Sequence, residues 1–332
     1  MVGANRPMGG GYGYGQDGLP VPVLRPPKPA LVSDPGRTIA RMGLGLTVYL
    51  DEPDGWGRGR AVAVLDRFLE IADKIGHIGW FWSSARNRWA RLEQRTLNDV
   101  RNDLGGGAAI YAHPRPQLRV CLADQPGAPA LAFVYNEGSS RQAHRRGYLR
   151  IMLPTNTPPD ELLSFAIELA QTAPIHAGIG GYEARYDIDA TDSAFKSIYG
   201  WCLRYLGLHV SNPDRVAYRL GETRLPAVGW LTVVGNPLRE RWLADEGFDL
   251  DALDPSVIQV MSLSRATILK AGNRPVIGDR HLGEYPSAVH AAWQALGRFT
   301  LEEPPTLPGR RFGEEPRTRD WYFRFLEPDA WT

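Results

Sequence analysis

Cysteine is nearly missing from this chain: Cys121 and Cys202 are the only two in 332 residues. They match no zinc or redox spacing and cannot build a disulfide framework, so a reducing compartment is the expected setting. Both read as small core hydrophobes, Cys121 in a strand and Cys202 on the apolar face of a helix. Long apolar runs are missing as well. The longest, Val228–Gly235, falls far short of the ~20 residues that a membrane-spanning helix needs. Met1 leads into Gly and Pro rather than into an apolar signal core, so a cytoplasmic protein is expected. Lysine is scarce, with Lys28, Lys74, Lys196 and Lys270 against 34 arginines. Arg and Lys differ chemically, but one function rarely demands so lopsided a ratio, and high-GC coding explains it better. Net charge is also small: 38 Lys+Arg against 37 Asp+Glu leave +1. No global footprint for nucleic acid or an anionic membrane results, and only local patches could serve such partners.

Catalytic signatures are equally sparse. The seven histidines (His77, His113, His144, His176, His209, His281 and His290) never form His-Glu-x-x-His and never stand at ligand spacing to a cysteine. His281 and His290, on a loop and an exposed helix side, make a poor ligand pair. Gly-x-Ser-x-Gly does not occur. The cluster Gly9-Gly10-Gly11-Tyr12-Gly13-Tyr14-Gly15 lacks the preceding strand, the Lys-Ser/Thr end and the following helix of a phosphate loop. No metal or cofactor is expected. Two carboxylate pairs, Asp51 with Glu52 and Asp187 with Asp189, could serve as acid and base. Paired acids at strand ends are more often loop solubility. The residues offer no convincing active site.

What is present is an ordinary globular composition with strong local patterns. Residues 1–36 hold 15 Gly or Pro and read as a disordered leader. Order is expected from near Gly43, where Leu44, Leu46, Val48 and Leu50 alternate with small and polar residues as in a strand. Arg58–Ile75 reads as an amphipathic helix stopped by Gly76. Strands are expected at Ile78–Trp82, Gln117–Leu122, Ala130–Tyr135 and Tyr148–Leu153. Thr157-Pro158-Pro159-Asp160-Glu161 opens a helix, with Thr157 as cap and Pro158 in the first turn. His176–Tyr186 is a strand whose Gly178, Gly180 and Gly181 need close backbone approach or positive φ. Asp192 caps the helix Ser193–Leu206. Further on come a strand Val228–Val234, a helix Pro237–Ala244, the pair Val257–Leu263 and Thr267–Lys270, and a helix Glu284–Gly297. Gly272-Asn273 makes a turn, after which Val276 and Ile277 extend the sheet. The aromatic segment 302–332, with Trp321, Tyr322, Phe323, Phe325 and Trp331, should pack back on the body. The expected fold is α+β, a mostly antiparallel sheet with helices on one side. Its element order recurs loosely after residue 193, which suggests one large domain, 37–332, with related halves 37–190 and 191–332.

Charge patterning gives three local features. Arg86–Arg101 carries five arginines, and Arg141–Arg150 carries four with His144. Each suits a nucleic-acid contact or, more commonly, a solvated face. The sharper feature is acidic: Asp245, Glu246, Asp249, Asp251 and Asp254, with Phe248, Leu250 and Leu253 between them and no base. It is either an acidic surface turn or an interface for a basic partner.

The stretch Tyr199–Leu208, followed by Gly229-Trp230-Leu231-Thr232-Val233-Val234-Gly235, resembles the type VI secretion immunity family. Pro275-Val276-Ile277-Gly278-Asp279 matches the end of that family's later hairpin, and Tyr285 the start of its final helix. Gly180-Gly181-Tyr182 is similar to its glycine-tyrosine turn, and Leu44–Leu50 to its opening strand. The resemblance spans roughly residues 43–300. It departs at Asp245-Glu246-Gly247, where the family usually has Gly-Gly, and the leader and aromatic tail look like additions. The resemblance implies a non-enzymatic protein that binds a cognate secreted effector toxin, often a nuclease of the restriction-endonuclease type. It implies no direct nucleic-acid partner, and the acidic run becomes the expected toxin interface. Two rivals stay open on the residues alone: a hydrolase or transferase using the loop carboxylates, and an Arg-rich nucleic-acid binder.

Overall fold

The computed structural model describes residues 36–51, 59–84, 86–105, 118–138, 146–313 and 317–331, with short strands at 13–14, 20–21 and 30–32. Glu52, the turn Asp54-Gly55, Gly106-Gly107, Arg141, His144, Arg145 and much of the leader lie outside the described residues. The strands are β1 (Gly13–Tyr14), β2 (Pro20–Val21), β3 (Ala30–Val32), β4 (Thr38–Leu50), β5 (Trp80–Ser83), β6 (Ala90–Arg91), β7 (Arg119–Ala123), β8 (Ala132–Asn136), β9 (Tyr148–Leu153), β10 (Ile175–Tyr186), β11 (Leu231–Gly235), β12 (Ile258–Ser262) and β13 (Ala266–Ala271). The helices are α1 (Gly59–Ile75), α2 (Gln94–Gly105), α3 (Pro159–Thr172), α4 (Thr191–Arg204), α5 (Pro213–Arg219), α6 (Asn236–Glu246), α7 (Ser287–Leu296), α8 (Arg310–Gly313) and α9 (Arg317–Tyr322).

β1 and β2 pair with each other, and one larger sheet organises the other strands, in the order β12-β13-β11-β10-β4-β9-β8-β7-β5-β6, with β3 also paired to β4. Every ladder in it is antiparallel. The chain is therefore α+β with an antiparallel sheet, as its pattern predicts. The ordered sheet begins earlier than expected, at Ala30 rather than near Gly43: Ala30–Val32, within the segment read as a disordered leader, pairs with the start of β4. β10 and β11 are neighbours, so residues on either side of position 190 share the sheet.

Helices cover both faces of the sheet, not one. Leu44, Leu46, Val48 and Leu50 of β4 face α1, α2 and α3 through Phe68, Val100, Leu104, Phe165 and Leu169. The opposite face meets α5, α6 and α7 through Val216, Trp242, Val289, Trp293 and Phe325. A third cluster continues the first face along β4 and β10, where Ala40, Met42 and Ala184 pack on α4, Phe312, Trp321 and Trp331. The reason is in β4 itself: apolar residues fill its even positions, while Gly43, Gly45, Thr47 and Tyr49 leave room on the odd face. A strand buried on both faces needs cover on both.

Local departures have simple causes. Pro158, not Thr157, precedes α3 without a side-chain cap, and Pro159 is its first residue. The Arg86–Arg101 span is not one helix; Ala90–Arg91 pairs with β5 as an edge strand, and α2 starts at Gln94. Val276 and Ile277 do not extend the sheet: the carbonyls of Ile277 and Gly278 accept from Gly207 and Leu206 instead, at 2.7 and 3.1 Å. The glycines behave as expected. Gly181 has φ 148°, and a Cβ at Gly178 would press on Val48.

Candidate functional site

The acidic run spans the end of α6, a chain reversal and a 3-10 turn at Leu250–Ala252. Gly247 stops α6 in the left-handed region, φ 60°. Its N–H donates to the Leu243 carbonyl, and the Phe248 N–H to the Trp242 carbonyl, both at 3.1 Å. This is a left-handed (αL) helix stop, which favours glycine because a Cβ is strained there. The reversal folds Phe248 onto Trp242 and Phe299, with ring centres 6.2 and 4.7 Å away, under the Arg298 guanidinium. Phe248 is half-buried and holds the turn together. The exposed apolar side chain here is Leu243, 52% accessible, one turn earlier on α6.

The five carboxylates divide by partner. Asp251 is held by Arg239 at 2.7 Å, and Glu246 stands 4.0 Å from Arg298. Asp245, Asp249 and Asp254 have no cationic partner among the described residues. Asp249 accepts the Asp251 N–H at 3.0 Å and Asp254 the Ser256 N–H at 2.9 Å. Bonds from the hydroxyl and amide of Ser256 hold Asp254 below the ordinary carboxylate range, so it is ionised at neutral pH. Asp245 and Glu246 occupy the last turn of α6, where the helix dipole opposes negative charge by about 0.3–1 kcal/mol each. Stability alone would favour Lys or Arg at these positions.

A second charged site lies on the odd face of the sheet. Glu183 of β10 is buried between two guanidinium groups, with Arg150 Nη2 at 2.9 Å and Arg185 Nε at 2.7 Å. Arg185 also donates to the carbonyls of Leu153 at 2.9 Å and Pro129 at 3.2 Å, and to those of Ala130 and Leu44. The two glycines of β4 make this packing fit: a Cβ at Gly45 would collide with the Glu183 carboxylate, and one at Gly43 with the Arg185 guanidinium. Burial pushes Glu183 upward, but Arg150 and Arg185 outweigh it and hold the carboxyl below its ordinary value. A cleft of about 190 Å³ opens beside this network, lined by Trp89, Arg119, Tyr148, Arg150, Arg185 and Asp214 among others. Burial pushes the Cys121 thiol at its edge up to about 12.

The carboxylate pairs do not converge. Asp51 is paired with Arg146 at 2.6 Å and lies 3.6 Å from His176 Nδ1. Asp187 and Asp189 share Arg37, at 2.5 and 3.2 Å. His176, beside Asp51, is the second residue of β10 and Asp187 follows its end, so Asp51 and Asp187 stand about 35 Å apart along an extended strand. His176 is buried, and its Nε2 lies 3.2 Å from the Arg224 carbonyl, so neither ring nitrogen is free for a substrate. Burial depresses its pKa despite Asp51. No group of three or more His, Cys, Asp or Glu able to hold a metal occurs among the described residues. Asp51 itself is held low, first by His176 beside it and then by Arg146. A depressed carboxylate stabilises the fold above its unfolded pKa of about 4 and stops doing so as pH falls through its folded value. Asp51→Asn is therefore expected to lower Tm at pH 7 but to change it little at pH 3. Thermal unfolding at both pH values checks this, and an equal loss at both would argue against the pairing.

The described arginines of the basic stretches are largely spent within the chain. Arg91 covers Trp80 at 4.2 Å, Arg101 pairs with Asp66 at 2.7 Å, and Arg146 and Arg150 are paired as above. The motif residues that carried the resemblance are structural. Trp230 is buried and donates to the Gly272 carbonyl at 3.3 Å, while Thr232 Oγ1 accepts from Gly229 at 3.2 Å. Leu231 sits in the core. Gly235 lies so close to β10 that a Cβ would collide with the Ile175 carbonyl, and Gly278 has φ 71°. Asp279, after buried Pro275, holds Arg204 through two bonds of 2.7 and 2.8 Å. Tyr285 lies two residues before α7, 3.0 Å from His290.

Sequence reading missed Leu243 and the Glu183 network. The second had a signal: Gly43-x-Gly45 within a strand, and Glu183-x-Arg185 within another apolar strand. No helix among the described residues is long and apolar enough to cross a membrane.

Known proteins place this geometry. A family model described as TsiV, "Type VI immunity for VRR-NUC", matches residues 60–325. That span includes Trp321–Phe325, so most of the aromatic segment read as an addition lies inside it. Among solved structures, the Pseudomonas aeruginosa T6SS protein PA0821 has the same fold: TM-score 0.74, 22% identity, covering 92% of this chain and 91% of that one. No curated protein matches the sequence significantly.

Proposed function

Because this chain belongs to the TsiV family of type VI immunity proteins, we propose that it captures a nuclease effector in the cytoplasm, through protein–protein contact on the acidic face of α6 and the turn after it. On this reading it makes and breaks no covalent bond and needs no cofactor. The observation that carries the reading is the run of Asp245, Asp249 and Asp254, without cationic partners among the described residues, following exposed Leu243. A nuclease must present cations to bind DNA, and a complementary acidic surface speeds encounter and disfavours wrong partners. Nuclease–immunity pairs approach the ceiling of non-covalent affinity, which an interface of about 1,600 Å² can reach with good anchors. Leu243, exposed on the last turns of α6, is the candidate apolar anchor.

The structure also selects the variant that tests it. Reversing Asp251 would break its pair with Arg239. The combined change Asp245→Asn, Asp249→Asn, Asp254→Asn keeps side-chain acceptors for the Asp251 and Ser256 amides and removes only charge. Against the purified, catalytically inactive product of the adjoining effector gene, association is expected to slow about tenfold or more at low salt. The difference should fade as salt rises. Unchanged association at low salt would remove the acidic face from the interface. Failure of the soluble wild-type chain to protect cells expressing that effector would remove the function.

A further inference from the structure

β12 is the terminal strand of the sheet, and among the described residues nothing pairs with its outer side. Bonds at its two ends fix its hydrogen-bond phase. The Leu263 N–H bonds the Ala266 carbonyl at 3.0 Å where the hairpin closes, and the Gly272 N–H bonds the Val257 carbonyl at 3.3 Å at the other end. In an antiparallel ladder such bonded pairs alternate with unbonded ones. Residues 257, 259, 261 and 263 therefore face β13, while Val260 and Ser262 turn N–H and C=O outward, as does the Ile258 carbonyl. The Ile258 N–H is already used by the Asp254 carbonyl at 3.0 Å.

Natural edges are usually guarded by charge, proline, a bulge or shortness. Ile258-Gln259-Val260-Met261-Ser262 has no charge and no proline, and its register with β13 is unbroken. The opposite edge, β6, is two residues long with Arg91 folded over Trp80. The β12–β13 hairpin is also held firmly. Its turn is tied to α3 by Arg265 N–H to the Ala170 carbonyl at 3.0 Å and to α6 by Asn236 to the Ser264 carbonyl at 3.0 Å. A rigid edge loses little freedom when it binds.

The acidic run lies against this same edge. Asp254 is four residues before Ile258, and Arg239 joins Asp251 at 2.7 Å to Ser262 Oγ at 2.8 Å. We infer that β12 receives an extended, cationic segment of the effector as an added strand, main chain to main chain, with Asp249 and Asp254 meeting the basic residues that flank it. Backbone bonds supply affinity in such strand addition, and alternate side chains supply specificity. The inference rests on the reading of the chain as an effector-binding protein and assigns that binding a geometry.

Val260→Pro tests it, because the lost N–H points outward and the ladder to β13 stays intact. The variant should keep the wild-type unfolding transition and bind the adjoining gene's purified product about 10- to 100-fold more weakly, as fits one or two lost interface hydrogen bonds. Amide exchange of the wild-type chain gives a readout that does not depend on the variant's folding. The Val260 and Ser262 amides should exchange rapidly when free and become protected in the complex. If the wild type binds and neither affinity nor exchange at these amides responds, the edge has no part in binding and only this inference falls. A wild type that does not bind the product removes the functional reading as well. A wild-type dimer that Val260→Pro converts to monomer would assign the edge to self-association and overturn the inference.

Discussion

Glu183→Ala is expected to cost about 3–5 kcal/mol, because it strands two buried cations without their shared anion. Arg150 and Arg185 both point at that carboxylate. Arg185 would keep its four carbonyl acceptors, but its like-charge repulsion with Arg150 would no longer be offset in a site of low dielectric. Glycine at positions 43 and 45 means no neighbouring Cβ could move in to fill the gap. Urea unfolding at pH 7 measures the loss, and a change below about 1 kcal/mol would show that the network contributes little. Arg150→Met combined with Glu183→Gln should recover part of it, since one cation then leaves with the anion. The pH sign follows from the depressed carboxyl: its stabilisation is complete at neutral pH and fades as pH falls through the folded value. Glu183→Ala should thus flatten the acid limb of the stability curve.

This network also marks the boundary of what the sequence makes legible. Elements defined by long periodic runs were readable: Tyr148–Leu153 falls where its alternation puts it, and α1 begins one residue from the expected start. Positions that need glycine were readable, as at Gly181 within β10 and at the turn of Gly272. Tertiary choices were not. Ile277 looks like strand but bonds to the loop after α4, since its apolar neighbours do not say which backbone will take its carbonyl. Thr157 looks like a cap, yet the prolines that follow move the helix start beyond its reach. Periodicity also cannot say that β4 is covered on both faces, because glycine on the odd face reads as absence rather than as space for Glu183 and Arg185. At the acidic face the charges were legible and their pairing was not. Arg239 lies twelve residues from Asp251, and only the left-handed reversal at Gly247 brings Phe248 inward and leaves Leu243 as the exposed apolar group.

The end of the chain carries the other large expected effect. Trp331 is buried, and its ring lies 5.2 Å from Trp321, 5.7 Å from Tyr199 and 6.1 Å from Phe312, nearly parallel to the last. Its Nε1 donates to the Cys202 carbonyl of α4 at 3.3 Å. Arg324 fixes the segment before it, donating to the Leu206 and Leu208 carbonyls at 2.8 and 3.0 Å beneath the Trp321 ring. The tail therefore closes the third hydrophobic cluster over α4. Trp331→Ala should cost about 3–5 kcal/mol, the usual loss for a truncated buried tryptophan. Trp331→Phe keeps most of the ring contact, loses only the bond to Cys202, and should cost about 1 kcal/mol. Denaturant midpoints of the two variants check the ratio, and equal losses would mean that the indole N–H, not packing, holds the tail. Trp331 and α4 pack in the third cluster, whereas the acidic run and β12 pack against the second. The alanine variant, kept below its lowered Tm, should therefore bind the effector with unchanged affinity, separating the residues that close this fold from those proposed to grip a partner.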